Sequence, residues 1–416
     1  YDILRCLVGS EMCIRDRWGG DQLASSECGS FFRSDESLDS SQVGELRLNV
    51  GGLLFFRDNE FSTSVMDGYT LPGFKLCPTV SYMPSRNVKA ELGVSLTRFW
   101  GTDRYPNMAY RDIASWTGGE RSDGFHVVPF FRVQMATDFG LQVVLGSIYG
   151  GANHRLLMPL YEPELNLTAD PETGAQVLYS NRWLDADMWV NWESFIYRGD
   201  THQEEFVFGI SSRIKYNSER SRLHFYTPVQ LLAQHRGGEI DTITSHSVQT
   251  LMNGAVGFGA RWNINHRRVK SASLELDYLG YYQQAGELWA FDSGNALYLH
   301  GNLDVWNTRF KLGYFYGDKF ISMFGYPLFG CVSTKNPGMT YDKPSTVYVG
   351  FEYAKEFAPG FSLGVNVDIY ERSSCYGTTG EGVREKMKGS TSFAAGLCMN
   401  CLLYTSPSPR DISGSR

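Results

Sequence analysis

The feature that most constrains this chain is a period-two alternation of apolar and polar side chains over stretches of about ten residues. It is clearest from Ser345 to Arg372. Val347 and Val349 share one face of the first half, and Val365 and Val367 share one face of the second, while polar residues and glycines fill the opposite faces. A short Ala-Pro-Gly connection, typical of a tight hairpin, joins the two halves. The pattern predicts two strands, each with one apolar and one polar face.

The same alternation runs from Glu45 almost to the C-terminal end and predicts about 16 strands. The connections alternate between short and long. Short connections fall at Pro84–Asn87, Thr137–Asp138, Arg182–Asp185, Asn217–Ser221, Asn265–Lys270, Asn307–Thr308 and Ala358–Gly360. Long connections fall at Asp58–Pro72, Thr102–Gly124, Gly151–Gly174, Tyr197–Gln203, Arg236–Thr250, Gln284–Asn295, Gly317–Ser345 and Glu371–Thr391.

Composition excludes two classes of protein. Mean hydropathy is −0.27 and no apolar run approaches the length of a membrane-spanning helix, so helical membrane proteins are excluded. A formal net charge of −7 with scattered basic residues argues against a nucleic-acid surface. The 44 glycines and 14% aromatic residues favour a β-rich chain with many turns.

A soluble β-sandwich or propeller would also show alternation, but three features weigh against it. The strands exceed the usual five or six residues. A sandwich has no reason to alternate short and long connections. Aromatic residues sit toward the strand ends, where membrane interfaces would lie. They are Tyr82, Trp100, Trp183, Trp262, Trp306 and Tyr353.

In strand pattern and loop order, about Glu45 to Asn400 resembles a porin-type outer-membrane protein of diderm bacteria. The resemblance implies an all-β fold, a transmembrane antiparallel up-and-down β-barrel of about 16 strands. Periplasmic turns would be short and extracellular loops long. We therefore expect one barrel domain, residues 44–400, in the bacterial outer membrane.

The two ends have a different character. The tracts Cys6–Arg17 and Cys401–Asp411 resemble translated sequencing-adaptor artefacts. We therefore expect residues 1–43 to be an artefact plus a flexible leader remnant, and 401–416 to be an artefactual tail. A signal peptide is presumed to have been lost by truncation.

The polar faces of the strands predict the lining of a pore, since charges facing lipid are costly. The third long loop carries acidic residues, and porins commonly fold this loop into the barrel as a constriction, where its acids would face basic wall residues. An ordinary solvated loop and a merely solvated interior are the alternatives. The candidate pore-lining and constriction residues are Arg132, Arg213, Lys215, Arg261, Arg309, Lys311, Glu275, Asp277, Glu352, Asp368, Glu162, Glu164, Asp170 and Glu172.

No motif predicts catalysis, a metal site or a cofactor. None of the eight histidines falls in a hydrolase or zinc motif. Arg198–Glu205 groups carboxylates with His202 but reads better as a polar turn than as a metal site. Gly257-Phe258-Gly259 lies in a strand pattern and not before a helix, so it predicts small wall residues and no phosphate loop.

The sequence thus predicts a channel for passive diffusion of small hydrophilic solutes, with no enzymatic activity. The alternative is a surface receptor, an adhesin or an uptake-complex subunit working through its extracellular loops, and an enzyme in the lumen or at the rim ranks third. The expected partners are outer-membrane lipid and lipopolysaccharide and small hydrophilic solutes, without nucleic acid. A homo-oligomer is possible by resemblance to trimeric porins.

Overall fold

Sixteen antiparallel strands close into one barrel in the computed structural model, which describes residues 30–100, 125–197, 203–238 and 248–404. Three short strands, β14, β17 and β18, form a separate small sheet. The strands are β1 (Leu46–Phe61), β2 (Tyr69–Ser85), β3 (Val88–Phe99), β4 (His126–Ala136), β5 (Leu141–Ser147), β6 (Thr173–Ser180), β7 (Leu184–Ser194), β8 (Glu205–Lys215), β9 (Leu223–Arg236), β10 (Gln249–His266), β11 (Val269–Ala285), β12 (Ser293–Val305), β13 (Thr308–Asp318), β14 (Thr340–Asp342), β15 (Ser345–Ala358), β16 (Phe361–Arg372), β17 (Cys375–Thr378), β18 (Arg384–Met387) and β19 (Ser390–Tyr404).

Each barrel strand pairs with its neighbours along the chain, and β1 closes the barrel on β19 with Phe61 opposite Ser392 and Asn49 opposite Tyr404. Closure leaves no unpaired sheet edge, as a membrane demands. The predicted fold class and strand number are confirmed. Two-residue turns such as 86–87 mark the periplasmic end, while longer loops such as 148–172 mark the extracellular end. The predicted loop Thr102–Gly124 lies outside the described residues.

Neighbouring residues of one strand face opposite environments. On β11, Leu276 points outward and is 51% exposed, whereas Asp277 points into the lumen and is fully buried. Outward aromatic side chains lie near the strand ends, among them Trp262 and Trp306 toward the periplasm and Trp100 toward the outside. An apolar band between aromatic girdles is the surface that a lipid bilayer solvates. Within the described ranges, no helix is long and apolar enough to span a membrane.

The first hairpin is longer than the sequence predicts. Its loop spans residues 62–68 only, instead of Asp58–Pro72, because β1 continues to Phe61 and β2 begins at Tyr69. The charged run at the end of β1 hides the alternation, since Arg57 and Asn59 are polar yet buried in the lumen. At the other end of the chain, β19 extends past residue 400 as far as Tyr404 and stays paired with β1.

Two extracellular loops also form the small sheet. Thr340–Asp342 (β14) pairs with Cys375–Thr378 (β17), which pairs with Arg384–Met387 (β18). Arg384 donates to Asp342 at 2.8 Å and so links the two outer strands. The sequence predicts both segments as loops, because strands of three or four residues are too short to show a period.

Candidate functional site

The barrel lumen contains a folded plug made of three segments. They are residues 30–36 before β1, residues 148–172 between β5 and β6, and residues 319–344 between β13 and β15. Apolar side chains of these segments pack on aromatic side chains of the wall. Tyr326 stacks on Tyr370 at 4.8 Å, and Tyr370 stacks on Tyr348 at 5.1 Å. The main apolar core of the protein therefore lies inside the barrel.

His154 ties the second plug segment to the wall. Its Nδ1 lies 2.7 Å from Asp187 Oδ2 on β7, and its Nε2 lies 3.0 Å from Glu172 Oε2. The ring also stacks on Trp189 at 3.5 Å. Burial alone would lower the pKa of His154, but the carboxylates of Glu172 and Asp187 outweigh it and raise the pKa to about 10. The imidazolium then donates one hydrogen bond to each carboxylate.

A second ionic contact lies where β1 meets the plug. Arg57 Nε is 2.9 Å from Glu164 Oε2, and Arg57 also lies 3.9 Å from Asp368 on β16. Asn59 and Tyr69 donate to the same Glu164 carboxylate at 2.9 and 2.5 Å. The adjacent strands β1 and β2 therefore hold one carboxylate of the plug. Arg57 is not among the residues predicted from the sequence, because it directly precedes the predicted loop Asp58–Pro72, where a charged run hides the alternation.

The predicted wall residues all point into the lumen, where most of them form ion pairs with other lumen side chains. Arg309 pairs with Asp304 at 2.7 Å, and Lys215 pairs with Asp185 at 2.8 Å. The remaining contacts are Arg132 with Glu91, Lys311 with Glu352, Arg213 over the ring of Tyr226, Asp368 accepting from Tyr348, and Glu275 and Asp277 with His300.

The acidic residues of the third long loop lie on or beside the plug. The expectation that they face Arg132, Arg213 and Arg261 is wrong, because the contacts found for them are with other residues. Glu164 contacts Arg57, and Asp170 lies 2.8 Å from His126. The other acids are Glu172, which contacts His154 and accepts from the Gly151 amide, and Glu162, which is buried and whose amide donates to Phe324. The expected arrangement does not form because the plug packs closely on the barrel wall. Each carboxylate therefore contacts the donor that lies nearest to it.

A polar cavity of about 260 Å³ remains in the lumen beside the plug. Its lining is charged in both senses. Arg33 and Arg155 come from the plug, and Arg213, Arg261 and Glu275 come from the wall. Residues 30–36 form part of this lining because Arg33 donates to the Ala152 carbonyl and Ser34 donates to Asn153. The sequence shows no periodicity in that segment.

A different polar group faces lipid at the extracellular end of the barrel. His235, the penultimate residue of β9, points outward, and its Nδ1 lies 2.9 Å from the Thr250 hydroxyl on β10. The imidazole packs against Phe206, which stacks on Trp192. One pleat toward the membrane, Met252 follows Thr250 on the same outward face. The pair therefore lies at the outer edge of the apolar band.

The structure describes only part of the predicted polar turn Arg198–Glu205. Asp200 and His202 of the predicted Arg198–Glu205 turn, and also His246, lie outside the described residues. Glu205 begins β8 and pairs with Arg236 at 2.8 Å. Gly257 and Gly259 are wall residues of β10, as predicted.

Several solved outer-membrane proteins resemble this barrel at low sequence identity. OccAB4 of Acinetobacter baumannii is 11% identical with a TM-score of 0.43, over 88% of this chain and 100% of that chain. OpdK of Pseudomonas aeruginosa, solved with vanillate, is 9% identical with a TM-score of 0.47, over 87% and 100%. OmpT of Vibrio cholerae is 12% identical with a TM-score of 0.44, over 88% and 100%. No curated protein matches the chain.

One protein family matches across most of the sequence. Its description is lipid A 3'-O-deacylase-type, and the match covers residues 38–401. A deacylase is an enzyme, so the prediction of a barrel without enzymatic activity is wrong. The chain belongs to the lipid A 3'-O-deacylase-type family.

Proposed function

We propose that this protein hydrolyses an acyl ester of lipid A in the outer leaflet, at a lipid-facing site built around His235. Lipid A holds its ester bonds at the boundary between sugar and acyl chains. An enzyme that acts on such a bond needs its reactive group on the outward face, near the extracellular edge of the apolar band. The observation that carries the proposal is the outward His235–Thr250 pair at this level.

The geometry suits general-base catalysis. If Nδ1–H of His235 donates to the Thr250 hydroxyl at 2.9 Å, the other nitrogen, Nε2, is left as a base. Nε2 would take a proton from water as the water oxygen attacks the acyl carbonyl. The same proton would then pass to the departing sugar oxygen, so that the products are a free fatty acid and a sugar hydroxyl. Thr250 acts as a positioning residue that fixes the tautomer.

Apolar side chains around the pair would hold an acyl chain. Phe206 lies 5.1 Å from the imidazole, and Trp192 stacks on Phe206 at 5.1 Å. All three rings are on the lipid-facing surface of adjacent strands β7 to β9. An acyl chain lying along this ridge would bring its ester to the level of His235.

The test is the deacylation of lipid A by the purified, folded barrel in detergent micelles, followed by mass spectrometry of the lipid. Wild type should release one acyl chain. His235→Gln should lower kcat by about 10²-fold or more, the usual share of a general base. His266→Gln is the matched control, because His266 lies at the periplasmic end of β10 and is exposed.

The role of Thr250 has its own readout. Thr250→Val keeps the shape but removes the hydroxyl, so kcat should fall and its pH profile should shift, whereas Thr250→Ser should restore both. A folded His235→Gln barrel with full activity would reject this site. An inactive wild type would reject the proposed reaction itself.

A second function, diffusion of small hydrophilic solutes through the lumen, is favoured by the charged cavity beside the plug. Its charged wall would be the predicted pore lining. In planar bilayers such a channel gives stepwise conductance, and deletion of residues 155–168 from the plug should increase each step. A folded barrel that remains silent with and without this deletion would rule the channel out.

A further inference from the structure

Three potential metal ligands converge inside the barrel on the adjacent strands β11 and β12. Glu275 lies directly opposite His300 in the strand register, and Asp277 is the next inward residue of β11. One ligand atom from each residue lies within 4.8 Å of the other two. All three side chains are buried, at 5%, 0% and 6% exposed for Glu275, Asp277 and His300.

The distances resemble the edges of a coordination tetrahedron. His300 Nε2 lies 3.3 Å from Glu275 Oε1 and 3.2 Å from Asp277 Oδ2. Two ligands bound at about 2.0–2.2 Å to one tetrahedral ion are separated by about 3.3 Å. A charge-assisted hydrogen bond would be shorter, at about 2.7–2.9 Å, as between Arg309 and Asp304 at 2.7 Å.

Imidazole together with carboxylates is a donor set that divalent ions of the zinc class bind. A divalent ion would neutralise the two buried carboxylates of Glu275 and Asp277.

The surroundings leave room for the ligands and for an ion to enter. Asp277 packs against Gly257 of β10, and a Cβ at position 257 would lie only 2.0 Å from Asp277 Oδ1. His300 stacks on Tyr298 at 5.0 Å, which fixes the plane of the imidazole. Glu275 lines the lumen cavity, so water can reach this side of the cluster.

We propose that Glu275, Asp277 and His300 bind a divalent transition-metal ion of the zinc class, with water from the cavity completing the coordination. Imidazole with carboxylates is a usual zinc donor set. The site is separate from His235, since it faces the lumen while His235 faces lipid. The proposal therefore does not depend on the deacylase reaction.

The experiment is metal binding by the folded barrel in detergent. Protein stripped with a chelator and dialysed against Zn²⁺ should retain about one ion per chain, and Co²⁺ should add visible ligand-field absorption. Asp277→Asn and His300→Gln should each weaken Zn²⁺ binding about a hundredfold. Asp304→Asn is the matched control, because Asp304 is a buried lumen carboxylate on β12, the strand of His300. This variant should bind Zn²⁺ as wild type does.

Heat-modifiable migration in gels checks that each variant is folded. If both ligand variants fail to fold, Gly257→Ala provides the second test, because its added methyl group displaces the Asp277 carboxylate and should weaken binding. Wild-type protein that takes up neither Zn²⁺ nor Co²⁺ would overturn the proposal. Unchanged affinity in a folded Asp277→Asn or His300→Gln barrel would do the same.

Discussion

At the scale of single residues, Gly360 shows how a periplasmic turn depends on one glycine. Its φ of +76° lies in the left-handed region, and an added Cβ would lie 2.2 Å from the Leu402 carbonyl oxygen on the neighbouring strand. Since both the backbone angle and the contact oppose a side chain, Gly360→Ala should destabilise the barrel by about 1–3 kcal/mol. Urea unfolding in lipid vesicles measures this change. Gly280→Ala, where nothing lies within 4 Å, should be nearly neutral, and equal effects would refute the argument.

For much of the candidate site, the sequence predicts whether a side chain faces the lumen or the lipid but not which residue it contacts. Alternation correctly turns Arg132, Arg309 and Asp368 into the lumen. Their partners depend on how the plug folds, which no periodicity encodes. His154 and Asp187 are 33 residues apart, and His235 and Thr250 are 15 apart on different strands. A search for short motifs therefore could not find either pair.

At the scale of elements, His154 is the residue that fastens the second plug segment, residues 148–172, to the wall. His154→Gln removes a buried cation between two carboxylates, so we expect a loss of about 3 kcal/mol in the free energy of unfolding. Denaturant titration of both proteins in detergent measures it. Gln142→Ala, at a half-buried lumen position of β5, is a control that leaves the His154 ion pairs in place.

The effect should depend on pH in a definite direction. The pKa of His154 is raised on folding, so its stabilising contribution is complete below about 6.5 and is lost as pH rises through about 10. The pKa of Glu172 is lowered, because His154 and the Gly151 amide outweigh the opposite effect of burial, so its contribution is lost at acidic pH. The difference between wild type and His154→Gln should therefore be larger at pH 6 than at pH 10. A constant difference would contradict the assignment.

At the scale of the whole molecule, the outward face should behave as a membrane surface with a definite depth. Leu276 lies in the middle of β11 between Phe258 and Leu299, whereas Leu223 begins β9 at the periplasmic end. Leu276→Arg should cost about 2–4 kcal/mol, and Leu223→Arg only about 0–1 kcal/mol. Unfolding in lipid vesicles compares the two. Equal costs would mean that the bilayer is not centred on this band.

The barrel itself was predictable because its two determinants are local in sequence. Alternation sets the face of each residue, and loop length sets the order of up and down strands. The packing of the plug inside the lumen was not predictable. The plug is apolar, as at Leu156 and Phe329, and lacks a period because it follows the shape of the wall. Porin-like patterning therefore led to the expectation of a passive pore, which the family match corrects to an enzyme family.

Because residues 148–172 fold into the barrel, most of this loop is not exposed at the extracellular surface. This segment is extracellular by topology, but residues such as Met158 and Leu160 are fully buried. The hairpin of β17 and β18 is exposed instead, with Tyr376 and Val383 more than half exposed. An antibody or bacteriophage that recognises this protein on intact cells should therefore select the hairpin at 373–389 and ignore the third loop.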